Sequence, residues 1–156
     1  PRPYNPNSDK VAVLIQEDLR QIGLNVKIQK FEWASHLDKT SNGEHDICTL
    51  GWIGDNGDPD NFLYVLLGKQ AAKKPAQNLA FYQNDELQKI LEKAKTETVL
   101  EKRKELYKKA QVLVHQDAPW VPLVHTMDFT PHLKTVKDFY KPPIGHTVYA
   151  KVWLQQ

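Results

Sequence analysis

The chain has 156 residues, of which 40% are hydrophobic and 26% charged, the balance of a globular chain with one ordinary core rather than of a disordered one. With 21 basic and 19 acidic side chains the formal charge is only +2, which gives no electrostatic reason to expect nucleic acid or an anionic membrane as a partner. Cys48 is the only cysteine, so an intrachain disulfide and a zinc-finger type of metal site are excluded, and no stretch stays apolar long enough to span a bilayer.

The chain begins at Pro1 without a methionine or a signal peptide, and the expectation is that processing or truncation has removed what came before. Pro1, Pro3 and Pro6 hold the opening extended or turned. Ser8 or Asp9 is placed to cap a helix with Val11, Leu14, Ile15, Leu19 and Ile22 at helical spacing, and Gly23 ends it. Residues 24–31 alternate as a strand with one buried face should. Trp33 to Ser41 reads as a short helix stopped by Asn42-Gly43, and the apolar run Ile47 to Trp52 as a central strand buried on both faces. This helix–strand–helix–strand order predicts a parallel sheet with right-handed crossovers.

Past a loop rich in Gly, Asp and Asn, a short helix is expected from about Asn61 to Leu67, then a polar surface excursion from Gly68 to Gln83. Asn84 caps a helix over Asp85–Thr96. A further helix starts near Thr98 and runs to about Gln116, burying Leu106, Ala110, Leu113 and Val114 until Ala118-Pro119 breaks it. The cations Lys102-Arg103-Lys104 read as its solvated face. Trp120 to His125 is a strand candidate, and the proline-punctuated remainder offers Leu133, Val136, Phe139, Val148, Val152 and Leu154 for burial.

The stretch Gly51-Trp52-Ile53-Gly54-Asp55-Asn56-Gly57-Asp58-Pro59-Asp60-Asn61-Phe62 concentrates the chemistry. It follows a predicted parallel strand, where open α/β sheets place ligands. Its glycines let backbone approach a ligand closely, Trp52 offers a flat apolar wall, and a carboxylate can hold a cation through charge-assisted hydrogen bonds. Asp, Asn, Gly and Pro are also ordinary turn residues, and composition alone favours a plain turn. A calcium loop fails on spacing: counting from Asp55, the third and fifth positions are Gly57 and Pro59, and counting from Asp58 the fifth is Phe62. Catalysis finds no support either. None of the six histidines is paired at zincin spacing, Cys48 and His45 form no credible dyad, and Asp55, Asp58 and Asp60 in one turn are more often solvated than an acid–base pair.

The whole string resembles the dipeptide-binding proteins of bacterial ABC importers, within the family of extracytoplasmic peptide- and nickel-binding proteins. Arg2-Pro3-Tyr4-Asn5-Pro6-Asn7, Phe31-Glu32-Trp33, Gly43-Glu44-His45-Asp46, Glu105 to Gln111, Ala118-Pro119 and Val136-Lys137 extend the resemblance over essentially the whole chain. Only the Gly51–Phe62 string is specific by itself. The resemblance implies that Asp55 salt-bridges a peptide's α-ammonium group and that Arg2 pairs with its terminal carboxylate. Tyr4, Gly51 and Trp52 would line the pocket. One buried anion and one buried cation would then measure a zwitterion's length, with the planar fork of arginine suited to a carboxylate.

The implied fold is α/β, a periplasmic-binding-protein-like lobe with a mainly parallel sheet flanked by helices. Residues 1–127 are expected to hold most of the second, C-terminal lobe, and 128–156 a tail crossing back to the first. The implied partners are a dipeptide or short peptide, the membrane subunits of an ABC permease and the N-terminal lobe missing here. No cofactor, metal or nucleic acid is implied, and the location is periplasmic or extracytoplasmic, a lipid-anchored form included. Relatives in the family bind haem, glutathione or nickel. Nickel calls for a different pocket, whereas haem and glutathione stay open as cargoes, and a stand-alone interaction domain is the alternative from another class. A tail meant for another lobe would leave an apolar patch exposed in a chain this short.

Overall fold

In the computed structural model, which describes residues 7–125, 127, 129–144 and 147–155, the apolar spacing produces five α-helices. They are α1 (Ser8–Gln21), α2 (Trp33–Ser41), α3 (Asp60–Leu67), α4 (Asp85–Thr96) and α5 (Leu100–Asp117). The ends follow from local chemistry. Asn84 Oδ1 accepts the backbone N–H groups of Glu86 and Leu87, both at 2.9 Å, satisfying two of the orphan donors at the start of α4. The Glu32 carboxylate does the same for Ala34 and Ser35 at the start of α2, and those N–H groups hold its carboxyl below the usual range. Helix α1 begins at Ser8 with Asn7 in the cap position and no side-chain cap bond, so the expected capping by Ser8 or Asp9 is not what starts it. Gly23, at φ +84°, closes its other end, and the left-handed Ala118 (φ +46°) ends α5 just before Pro119.

The core lies where α3, α4 and α5 meet. Leu67, Leu87, Leu91, Ala94, Tyr107 and Ala110 are buried together, flanked by half-buried Leu63, Tyr64, Ile90, Leu106, Leu113 and Val114. Of the stripe expected on α5, Ala110 is fully enclosed and the three larger residues are its rim; Tyr107 is the buried member that apolar spacing does not single out. Helices α1 and α2 stand outside this core. Residues 68–83 are not the plain surface excursion expected. After a 3-10 turn at Lys69–Ala72 they fold around Asn78, which is fully buried. Its amide donates to the Tyr82 carbonyl at 2.8 Å and to the Gly68 carbonyl at 3.4 Å, and its Oδ1 accepts the Tyr82 N–H at 3.3 Å. One carboxamide thus pairs both backbone groups of Tyr82, which lies outside any helix or strand. The Ala76 N–H to Ser41 carbonyl bond, 2.8 Å, ties the segment to α2.

The expected parallel sheet is not formed among the described residues. Residues 24–32 and 48–54 run without helix or ladder, and the sheet present is antiparallel, β1 (Val136–Lys137) against β2 (Trp153–Leu154), with Val136 opposite Leu154. The physical reason is pairing. A parallel strand is stable where neighbours take its backbone groups and helices cover both faces. Here Ile47, Leu50, Trp52 and Ile53 keep exposed side chains. The Trp120–His125 candidate likewise joins no ladder among the described residues. In the tail Val136, Phe139 and Val152 are half-buried as expected, while Leu133, Val148 and Leu154 are exposed, because the small β1–β2 hairpin has no second layer to bury them.

Candidate ligand site

Asp55 and Trp52 are organised by one amide. Asn61, in the first turn of α3, uses its Oδ1 to accept both the Trp52 indole N–H at 3.0 Å and the Asp55 backbone N–H at 3.2 Å, while its Nδ2 donates to Asp55 Oδ2 at 3.4 Å. The loop is therefore folded back on the helix it leads into. Gly54 lies under it, buried, at a place where a Cβ would come within 2.8 Å of the Phe62 ring. Gly57 turns the chain at φ +71°. Trp52 and Asp55 are thus held next to each other by one amide, and both are exposed, as is Gly51. Arg2 and Tyr4 lie outside the described residues.

Three acids share this loop and they are not equivalent. Asp58 is committed. Both its oxygens receive the Arg103 guanidinium, Nη1 to Oδ2 at 2.7 Å and Nη2 to Oδ1 at 2.8 Å, and Oδ1 also accepts the Asp60 N–H at 2.9 Å. Arg103 hydrogen bonding holds the Asp58 carboxyl below the usual carboxylate range, and Asp58 in turn raises the guanidinium. Asp60 points inward, with Oδ1 buried and without a hydrogen-bond partner among the described residues. Asp55 is exposed and, among the described residues, pairs with no cation. Of the three it is the exposed carboxylate without an ionic partner among the described residues.

Arg103 corrects the reading of Lys102-Arg103-Lys104 as a solvated face. Its side chain is 24% exposed and that of Asp58 31%, so the pair is sheltered while the flanking lysines are not. The guanidinium also donates from Nε to the Ala94 carbonyl at 2.9 Å and from Nη2 to the Tyr107 hydroxyl at 3.2 Å, and it lies over the Tyr107 ring. A hint was present in sequence, since Tyr107 follows Arg103 at one helical turn, but its acidic partner is 45 residues away. Beside the loop, Gly54, Gly57, Asp58, Pro59 and Phe62 form a shallow hollow with Pro143 and Ile144 of the tail.

The architecture carrying this loop is that of a periplasmic binding protein. It superposes on the ABC transporter-associated periplasmic binding protein DppA from Helicobacter pylori, solved in complex with peptide STSA, with a TM-score of 0.82 and 44% identity over 97% of this chain and 29% of that one. Residues 1–74 match the family described as bacterial extracellular solute-binding proteins, family 5 Middle. The chain is covered by that match over just under half of its length. Among curated relatives it is 38% identical to Di/tripeptide-binding protein 1 of Pseudomonas aeruginosa, over 97% of this chain and 28% of that protein. It is 39% identical to Heme-binding protein A of Haemophilus influenzae, over 97% and 27%. The chain spans rather less than a third of the length of these relatives.

Proposed function

We infer that the chain is a ligand-gripping part of an ABC-importer substrate-binding protein that captures dipeptides or short peptides by their charged ends and passes them, chemically unchanged, to a membrane permease. One observation carries the reading. Asp55 is, among the described residues, the exposed carboxylate of its loop that pairs with no cation, and it stands beside the Trp52 indole on the shared Asn61 amide. A relative similar over 97% of the chain is a di/tripeptide-binding protein. In this reading Asp55 takes the α-ammonium group, Gly51 and Trp52 form the adjoining wall, and Arg2 and Tyr4 meet the ligand at its carboxylate end. Residues 1–127 are most of the second lobe and 128–156 the tail that returns to the first. The protein acts outside the cytoplasm, needs no cofactor or metal, and has the permease subunits and the other lobe as its partners.

Haem or glutathione is the second reading for the cargo, and the similarity to Heme-binding protein A is the observation that favours it. Glutathione carries an α-amino group that Asp55 could hold as well. Calorimetric titration of the protein with a dipeptide, glutathione and haem separates these readings. The expected outcome is dipeptide binding that Asp55→Asn weakens by about 1.5–3 kcal/mol, the loss of one charge-assisted bond. Binding of haem alone, or dipeptide binding indifferent to Asp55→Asn, would overturn it.

A further inference from the structure

Arg103 makes no bond to Trp52 or Asp55, yet two of its guanidinium's bonds reach Asp58, at the start of the element that positions them. The Nε–H satisfies Ala94, one of the last-turn carbonyls that α4 leaves unpaired. The two Nη groups clamp both oxygens of Asp58. Asp58 in turn fixes the first turn of α3 twice, through its Oδ1 to the Asp60 N–H and through its carbonyl, which accepts the Asn61 N–H at 3.1 Å. Asn61 then holds the Trp52 indole and the Asp55 backbone on the same oxygen. We propose that Arg103 is a positioning residue for α-ammonium capture: by clamping Asp58 it sets the start of α3, and through Asn61 it sets where the Asp55 carboxylate stands.

This rests on the ammonium-binding role inferred for Asp55. It adds a residue on a different helix, 48 positions further along the chain, to the determinants of that site. The requirement is for arginine in particular. A planar fork with donors on three nitrogens can serve a carboxylate on two oxygens and a carbonyl behind it in one rigid arrangement. A lysine ammonium could reach one of these acceptors but would not hold the plane of Asp58.

The test is a calorimetric comparison of dipeptide binding by the wild-type protein, Asp55→Asn, Arg103→Gln, Arg103→Lys, Asp58→Asn and the double variant Asp55→Asn/Arg103→Gln. Arg103→Gln and Asp58→Asn are each expected to weaken binding about tenfold or more, roughly 1.4 kcal/mol, and Arg103→Lys to recover little of it. On the Asp55→Asn background, Arg103→Gln is expected to add less than about twofold, since both act through one carboxylate. The pH profile gives an independent readout. Without Arg103 the Asp58 carboxyl returns toward its ordinary range, so the acid limb of dipeptide binding moves to higher pH. Asp58→Asn, nearly isosteric, carries the same comparison if Arg103→Gln folds poorly.

If Asp55→Asn weakens binding while the Arg103 and Asp58 variants bind as wild type, or if their losses simply multiply with that of Asp55→Asn, the positioning role is wrong and the role of Asp55 stands. If Asp55→Asn has no effect, both fall.

Discussion

Within six residues the chain carries Asp55, Asp58 and Asp60, and burial gives each a different task. Their chemistry is identical in sequence, which is why the loop read alone is a turn. What sorts them is the company of residues far along the chain: Arg103 for Asp58, the covered start of α3 for Asp60, and open surface for Asp55. The resemblance pointed to Gly51, Trp52 and Asp55, and of these Trp52 and Asp55 are tied to one Asn61 amide. Asn61 and Arg103 stayed hidden, because an Asn in a turn and an Arg between two lysines are unremarkable until their partners are known. Asn61→Ala removes the acceptor shared by Trp52 and Asp55, and each lost hydrogen bond is worth about 1 kcal/mol. We expect a roughly tenfold or greater loss of dipeptide affinity with a smaller change in the thermal midpoint, measured by calorimetry and by melting. Gly54→Ala drives a methyl into the Phe62 ring, costing about 1–3 kcal/mol unless the half-exposed ring moves aside. The double variant Gly54→Ala/Phe62→Leu is expected to recover most of the melting temperature.

The Asp58–Arg103 pair also predicts a pH dependence with a definite sign. Its carboxyl titrates lower in the fold than its ordinary value of 3.8, so the stability it contributes is present above about pH 4 and is lost as pH falls through the folded value. Urea midpoints of the wild type and Asp58→Asn should differ at pH 7 and converge as pH drops below about 4. A gap that persists at pH 2 would mean that the charge of Asp58 is not what stabilises the loop.

At the scale of elements, helices were more legible than strands, and the reason is where their hydrogen bonds lie. A helix pairs its backbone within itself, so capping and spacing near Asn84 or Asn42-Gly43 are enough to bound α4 and α2. A strand is completed only by a neighbour, and the apolar patterns at 24–31 and 47–52 say nothing of whether that neighbour is in reach. Local signals likewise missed the fold around Asn78, since a buried carboxamide that replaces secondary structure leaves no periodicity. Helix α4 is the firmest test of the legible part. Asn84→Ala removes two cap bonds and a 2.8 Å bond to Asp117, and is expected to cost about 1–2 kcal/mol in a denaturant melt. Leu91→Ala, at a site with no exposed surface, is expected to cost about 2–5 kcal/mol. If the Asn84 variant proved the more damaging, the stability of α4 would reside in its cap rather than in the core it helps to form.

Across the whole molecule, apolar surface is unevenly covered. Val121, Val124, Met127, Phe129 and Leu133 are each at least three-quarters exposed, a density of large hydrophobic side chains that a self-contained domain does not keep in water. This accords with a chain that spans less than a third of its relatives' length and, for Phe129 and Leu133, with the proposal that the segment after residue 127 packs on another lobe. The chain by itself should bind a hydrophobic dye strongly, and Val124→Ser with Phe129→Ser should reduce the signal by more than half; dye binding at the level of an ordinary globular protein would argue for a stand-alone domain instead. The central claim concerns the exposed carboxylate of Asp55. Its most direct test is a titration of the protein with one dipeptide and its N-acetylated form. Acetylation removes the ammonium charge and leaves the rest of the ligand in place, so a loss of affinity of about tenfold or more is predicted. Equal affinity for the two would contradict the role given to Asp55.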